Sequence, residues 1–246
     1  MCVVAVGFNW FAAKGESPTQ KTSVTHPKQT TKTPTPAATT FDKARYSITD
    51  PTSLWVVVNK LRPLGPTNYA PHDLVVPNAP LRVPGNESMQ LRAETASALE
   101  AMFAASKAAG APMMISSGYR SYNYQTSLYG GYVKSVGQAQ ADSVSARPGY
   151  SEHQTGLAVD VEPLDQKCGV EVCFGELPAG KWVAEHAYEY GFLLRYPADK
   201  VAVTGYSYEP WHLRYIGKDL AAELQRTHTA TLEEFFDLPA APDYAP

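Results

Sequence analysis

Two short stretches hold residue types that can do chemistry together. Ser151-Glu152-His153-Gln154-Thr155-Gly156-Leu157-Ala158-Val159-Asp160-Val161 offers an imidazole and, seven residues later, a carboxylate. Glu209-Pro210-Trp211-His212-Leu213-Arg214-Tyr215 offers a second carboxylate and a second imidazole. An aspartate inside so apolar a run as Leu157–Val161 is costly to bury unless it is paired or bound to a cation. Strand alternation would turn Val159 and Val161 to the face opposite Asp160. Two imidazoles, one carboxylate and a spare glutamate are the inventory of a catalytic zinc centre, with three protein ligands and one open position. The expected ligands of Zn2+ are His153, Asp160 and His212. Glu209 is expected to stay unligated as general base, taking a proton from the attacking water and passing it to the leaving amine.

Each residue alone has a plainer reading. His153 would be a polar loop histidine, Asp160 a hydrogen-bonded strand aspartate, and Glu209 an orienter of a metal-bound histidine. Their co-occurrence favours the metal. Pro210 pushes Glu209 toward extended backbone, so Glu209 and His212 are not a helical pair, and the H-E-x-x-H pattern is absent from the sequence. Arg120, between a strand and a helix start, sits beside backbone N–H groups that suit anions. Its guanidinium can bind a substrate carboxylate bidentately or stabilise a developing oxyanion; the alternative is a surface salt bridge. Gln125 and Ser151 are candidate substrate-binding residues or structural ones. Trp211 and Tyr215 read as core, and His186 as a packed or surface histidine.

The elements that must position these residues follow from periodicity. Leu54–Asn59 reads as a strand, 88–109 as the clearest helix, and Met113–Ser117 as a short buried strand. A helix starts after Ser121 as N-cap, with Leu128, Tyr129, Tyr132, Val133 and Val136 as its apolar face, and 138–145 add one or two helical turns. Gly156–Val161 is a strand, Lys181–Tyr190 a helix closed by Gly191, and Phe192–Tyr196 a strand. Trp211–Tyr215 alternates as a strand, and Lys218–Arg226 and Leu232–Phe236 are helical. Strands and helices at irregular intervals point to an α+β fold with a small antiparallel sheet flanked by helices.

The chain has 246 residues and a net charge of −3. With no basic stripe, nucleic acid is not an expected partner. Residues 1–13 are an apolar run, too short to span a bilayer, and are expected to be an export or anchoring remnant that could tether the chain to a membrane. Residues 14–45 are rich in Thr, Pro and Lys and read as a linker, 46–238 as the globular domain, and 239–246 as a flexible tail. Cys168 and Cys173 are expected to close a disulfide, which fits an extracytoplasmic, cell-wall or membrane-anchored location. A monomer is expected.

Ser117-Gly118-Tyr119-Arg120-Ser121 with Gln125, the Ser151-Glu152-His153 to Asp160 stretch, Glu209-Pro210-Trp211-His212 and Gly191-Phe192-Leu193-Leu194-Arg195-Tyr196-Pro197 together resemble the VanY-type family of zinc D-alanyl-D-alanine carboxypeptidases, over residues 54–236. The resemblance implies His153, Asp160 and His212 as zinc ligands, Glu209 as base, and Arg120 and Ser151 at positions that engage substrate. It implies the small α+β fold shared with the hedgehog signalling domain and, as substrate, a peptidoglycan stem peptide ending in D-alanine. The Cys168–Cys173 stretch has no clear counterpart. The rival readings are an LD-carboxypeptidase acting on the tetrapeptide and a non-catalytic zinc domain that binds peptidoglycan. An acyl-serine enzyme is disfavoured because no Ser-x-x-Lys pattern occurs.

Overall fold

The computed structural model describes residues 41–245; residues 1–13 and 14–40, with the anchor and most of the linker expected there, lie outside them. Leu74–Val75 (β1) pairs antiparallel with Leu91–Arg92 (β2), which runs into the helix Ala93–Ala108 (α1). Met113–Ser117 (β3) follows, then Tyr122–Val136 (α2), Gln138–Val144 (α3) and Ala158–Pro163 (β4). Pro178–His186 (α4), Phe192–Tyr196 (β5), Val201–Thr204 (α5), Glu209–Tyr215 (β6), Lys218–Thr227 (α6) and Leu232–Phe235 (α7) complete the order. The main sheet runs β3-β4-β6-β5 and every pairing in it is antiparallel. This is the α+β architecture that the sequence predicts. Among the described residues no helix is long and apolar enough to cross a membrane.

Two apolar clusters hold the sheet. Val159, Val161 and Leu213, on β4 and β6, meet Leu99, Met102 and Phe103 of α1 in the larger one. Trp55, Val57, Leu220, Leu224 and Phe235 form the smaller one beside α6 and α7. Leu54–Asn59, expected as a strand, is not one. Its side chains do alternate, Trp55 and Val57 into the smaller cluster and Val56 and Val58 into the larger. Its carbonyls, however, are taken by arginines: Arg214 Nη2 donates to Leu54 O and Val56 O, and Arg62 Nε to Val57 O. Leu54 and Trp55 lie in a turn, and residues 56–59 are buried without a strand partner, guanidinium groups standing where a neighbouring strand would be.

Other boundaries shift for identifiable reasons. The helix expected over 88–109 begins at Ala93. Asn86 caps a separate 3-10 turn, Glu87–Met89, by accepting from Ser88 N, and Gln90 is extended so that β2 can pair with β1. Ser121 caps α2 as expected, its hydroxyl accepting from Tyr124 N at 3.2 Å. The apolar face expected of α2 stays outside the core: Tyr132 and Val136 are exposed, and Tyr129 donates to Asp142 on α3. The expected third helix starts at Pro178, a residue suited to a first turn, and ends in a 3-10 turn over Ala187–Tyr190.

Phe41, in the stretch expected as linker, stacks on Trp55 with ring centroids 5.6 Å apart. The 239–246 stretch, expected to be a flexible tail, is docked through its described residues. Ala241 is buried and its N–H donates to Val203 O, while the Tyr244 hydroxyl accepts from Arg147 N at 2.8 Å and its ring lies under the Arg147 guanidinium. The Pro/Ala composition hides this because the anchor is one aromatic ring. The expected Cys168–Cys173 disulfide is formed.

Candidate active site

The β4–β6 ladder sets Asp160 directly opposite His212. Residues so placed on an antiparallel pair present their side chains on one face, and His212 Nδ1 lies 3.2 Å from Asp160 Oδ1. His153 arrives from the 3-10 turn Glu152–Thr155 that leads into β4. Gly156 ends that turn at φ 67°, where a Cβ would meet Arg92 Cγ at 2.9 Å and Leu74 Cδ2 at 3.0 Å. His153 Nε2 comes within 3.3 Å of Asp160 Oδ2, and the two imidazoles stand edge to face. The three candidate ligand atoms all lie within 4.8 Å of one another.

Glu209 is three residues from His212, which in a regular strand would put it on the other face. The β5–β6 register, however, steps from Leu194↔Leu213 to Tyr196↔Glu209, so β6 carries extra residues around Pro210. A bulge of this kind re-aims a side chain. Glu209 Oε2 ends 3.7 Å from His212 Nδ1.

The charges explain the chemistry available. The Gly118 carbonyl can only accept, so His153 donates to it through Nδ1–H at 2.6 Å and leaves the Nε2 lone pair facing Asp160. Burial holds the His153 pKa down at about 4, with Arg120 adding to the effect. Burial also opposes charge on His212, but the Asp160 and Glu152 carboxylates beside it outweigh that and raise His212 to about 9. Burial disfavours the Asp160 carboxylate, yet the two imidazoles hold it well below the usual carboxylate range. Glu209 is pushed up to about 7 by burial, against the pull of His212.

Buried polar atoms almost always have a partner. Here His153 Nε2, Asp160 Oδ1, His212 Nε2, Glu152 Oε2 and Arg120 Nε have none. The orphaned His153 Nε2 and Asp160 Oδ1, with His212 Nδ1 3.2 Å from that oxygen, fit a cation, and two imidazole nitrogens with one carboxylate oxygen fit a divalent transition metal. His153, Asp160 and His212 are the residues that would hold it.

The centre forms the floor of a cleft of about 430 Å³. Arg120, Ser151 and Glu209 line it, as does Trp211, which packs against the main core as expected and also shows a face to the cleft. Tyr215 is core as expected. Gln125 does not line the cleft: its Nε2 donates to Ala146 O at 2.7 Å and to Ser145 Oγ, so it braces two residues that do. His186 sits on the surface beside Glu189.

Residues 88–218 match the VanY family, described as D-alanyl-D-alanine carboxypeptidase. The chain is 42% identical over 194 residues to the putative carboxypeptidase YodJ of Bacillus subtilis (strain 168), covering 78% of this chain and 70% of that protein. The chain belongs to the VanY family of carboxypeptidases. Among solved structures it is similar to the LdcB LD-carboxypeptidase, at 42% identity and a TM-score of 0.72, over 76% of this chain and 87% of that one. It is also similar to the vancomycin-resistance D,D-pentapeptidase VanY in complex with Zn(II), at 30% identity and a TM-score of 0.58, over 73% of this chain and 97% of that one.

Sequence reasoning passed over the groups behind the VanY-type centre. Glu152 is fully buried; its Oε1 accepts from Arg195 Nε at 2.9 Å and Arg214 Nη1 at 3.0 Å, and its Oε2 faces His212 Nε2 at 3.6 Å. Arg195 also makes a two-pronged pair with Glu233, at 2.9 and 2.7 Å, and Glu233 accepts from Asn59. Tyr196, also buried, packs on the His212 ring at 4.7 Å. The available signal was an arginine set in each of two strands, Arg195 in the otherwise apolar Phe192–Tyr196 and Arg214 between Leu213 and Tyr215. A charge there has to be paired.

Proposed function

We propose that this chain is a zinc-dependent carboxypeptidase that releases the C-terminal D-alanine of peptidoglycan stem peptides outside the cytoplasm, with a terminal D-alanyl-D-alanine as its substrate. The observation that supports it most is the convergence of His153, Asp160 and His212 on one cleft floor with Glu209 3.7 Å from His212. A zinc ion supplies a Lewis-acid charge and a water nucleophile near neutral pH. With the ion bound, Glu209 Oε2 would serve as the general base, taking a proton from the attacking water and returning it to the departing amine. Arg120, on the same cleft wall, binds the peptide's terminal carboxylate, and Ser151 offers a hydroxyl to the peptide backbone. Asp160, between the two imidazoles, keeps them aimed at one point. The similarity to the LD-carboxypeptidase at 42% identity favours a second reading, in which the substrate is the tetrapeptide and the bond cut follows an L-residue.

Synthetic pentapeptide and tetrapeptide stems, each also made with an amidated C-terminus, separate these readings by mass spectrometry. Loss of one alanine from the pentapeptide supports the first and from the tetrapeptide the second, and the amidated peptides should stay intact because Arg120 has no carboxylate to hold. If both free peptides remain whole, the enzymatic reading fails.

The metal has its own readout. Metal-stripped protein given zinc at a hundredfold excess over Kd should gain about 2.7 kcal/mol of stability, a rise of several degrees in Tm for a domain of this size. Asp160→Ala should abolish the rise. An unchanged Tm in the wild type would remove the metal centre from the proposal.

A further inference from the structure

The floor of the cleft is buried, but its mouth is apolar and open. Val144 and Tyr132 stand on one side, from α3 and α2; Val170 and Val172 stand on another, from the loop between β4 and α4. All four are among the exposed large hydrophobic residues. Contiguous exposed apolar groups at the rim of a polar centre mark a binding surface.

The loop that carries the two valines is built and fastened. Gln166, Cys168 and Val170 all have φ near +55°, a region that is strained for any residue with a side chain and most of all for a β-branched one. Such strain persists only where the surroundings impose it. The Cys168–Cys173 disulfide closes the ring around Val170 and Val172. Gly169 packs so closely on Glu162 that a Cβ would sit 2.2 Å from its Oε2, and Glu162 is held by Arg82 at 3.0 Å. Phe174, just after the ring, is fully buried in the main core. Neither the anchors nor the strain serve the metal centre, since none of these groups touches a metal-ligand candidate.

A peptide whose terminal carboxylate reaches the floor must leave through the mouth, so the mouth meets the residues upstream of the scissile bond. We infer that the Cys168–Cys173 loop is a disulfide-braced specificity wall, on which Val170 and Val172 bind the aliphatic portions of the stem peptide upstream of the cut. This rests on the stem-peptide reading above and adds a consequence: substrate affinity depends on the oxidation state of the pair. A dithiol passing two electrons and two protons to the Sγ–Sγ bond yields two thiols, is itself oxidised to a cyclic disulfide, and frees the loop.

The test uses the zinc-loaded protein and the stem peptide that it cleaves. The pair Val170→Asn and Val172→Ser removes the apolar wall, and asparagine tolerates the left-handed backbone at 170. KM should rise roughly tenfold, with kcat within about twofold and zinc content unchanged. Dithiol treatment of the wild type should raise KM in the same way, and the Cys168→Ser/Cys173→Ser protein should show the raised KM with no response to dithiol. An active wild type whose KM is unmoved by both the valine pair and the dithiol overturns the wall alone. A wild type that cleaves no stem peptide overturns the wall together with the reading beneath it.

Discussion

Glu209→Gln should lower kcat for stem-peptide hydrolysis by about a thousandfold, within the range for loss of a positioned general base, while zinc stays bound and KM moves little. Glutamine keeps the shape and the acceptor oxygen of the side chain but cannot carry the proton from water to the leaving amine. The side chain stands 3.7 Å from His212 Nδ1 and is not one of the three convergent ligand candidates. If Glu209 were instead an orienter of His212, the same substitution would weaken zinc binding by about 10–100-fold and leave the metal-saturated rate near wild type. Metal titration and kcat on saturated protein therefore decide between the two roles.

The pH profile gives a second readout of the same residue. The base works only when ionised, so the rate rises with pH through its pKa. Burial places that pKa at about 7 without a cation, and a divalent ion beside the carboxylate can only lower it. The acid limb of kcat/KM should therefore lie below pH 7 in the wild type and vanish in Glu209→Gln. A limb that persists unchanged in the variant assigns it to another group.

How much of this was legible in the sequence depends on what carries each feature. Asp160 with Val159 and Val161 is a strand pattern with one misplaced charge, and that charge stands in the candidate site. The three candidate ligands could be picked out because each breaks its local pattern in an informative way, and the structure brings them together. The side of β6 from which Glu209 faces was not readable, because it depends on a bulge around Pro210 that only the pairing with β5 reveals. Leu54–Asn59 misled for a related reason: its alternation is real, but its hydrogen-bond partners are Arg214 and Arg62, far along the chain or out of register. Tyr244 was invisible because one ring in a proline-rich stretch carries no period. The family resemblance reached the first layer of the site and stopped there, since motif residues do not report who stands behind them.

Those groups behind the site carry the second large effect. Arg195→Met should destabilise the protein by about 3–5 kcal/mol, the cost of leaving partners of a buried ion pair uncompensated. Arg195, Glu152 and Arg214 are completely buried, so solvent does not screen the loss. Removing the guanidinium strips Glu233 of both its charged bonds and Glu152 of one of two. On a domain of this size the expected fall in Tm is on the order of 10 °C. Arg195→Met/Glu233→Met removes the pair together, leaves Glu152 with Arg214, and should recover much of the loss. Recovery separates an uncompensated charge from a simple packing defect, which the double variant would deepen.

Acid supplies an independent check. Burial disfavours the Glu233 carboxylate, but Arg195 holds its pKa below the ordinary 4.5. A carboxyl depressed in the folded state contributes stability that is complete above its unfolded pKa and is lost as pH falls through the folded one. Wild-type stability should therefore drop as pH falls below 4.5, and the double variant should lose the part of that slope due to Glu233. Because Glu152 Oε2 also faces His212 Nε2, Arg195→Met should weaken zinc binding even where the fold survives. A variant with wild-type urea midpoint and wild-type zinc affinity would mean that the buried charges neither hold the fold nor steady the histidine.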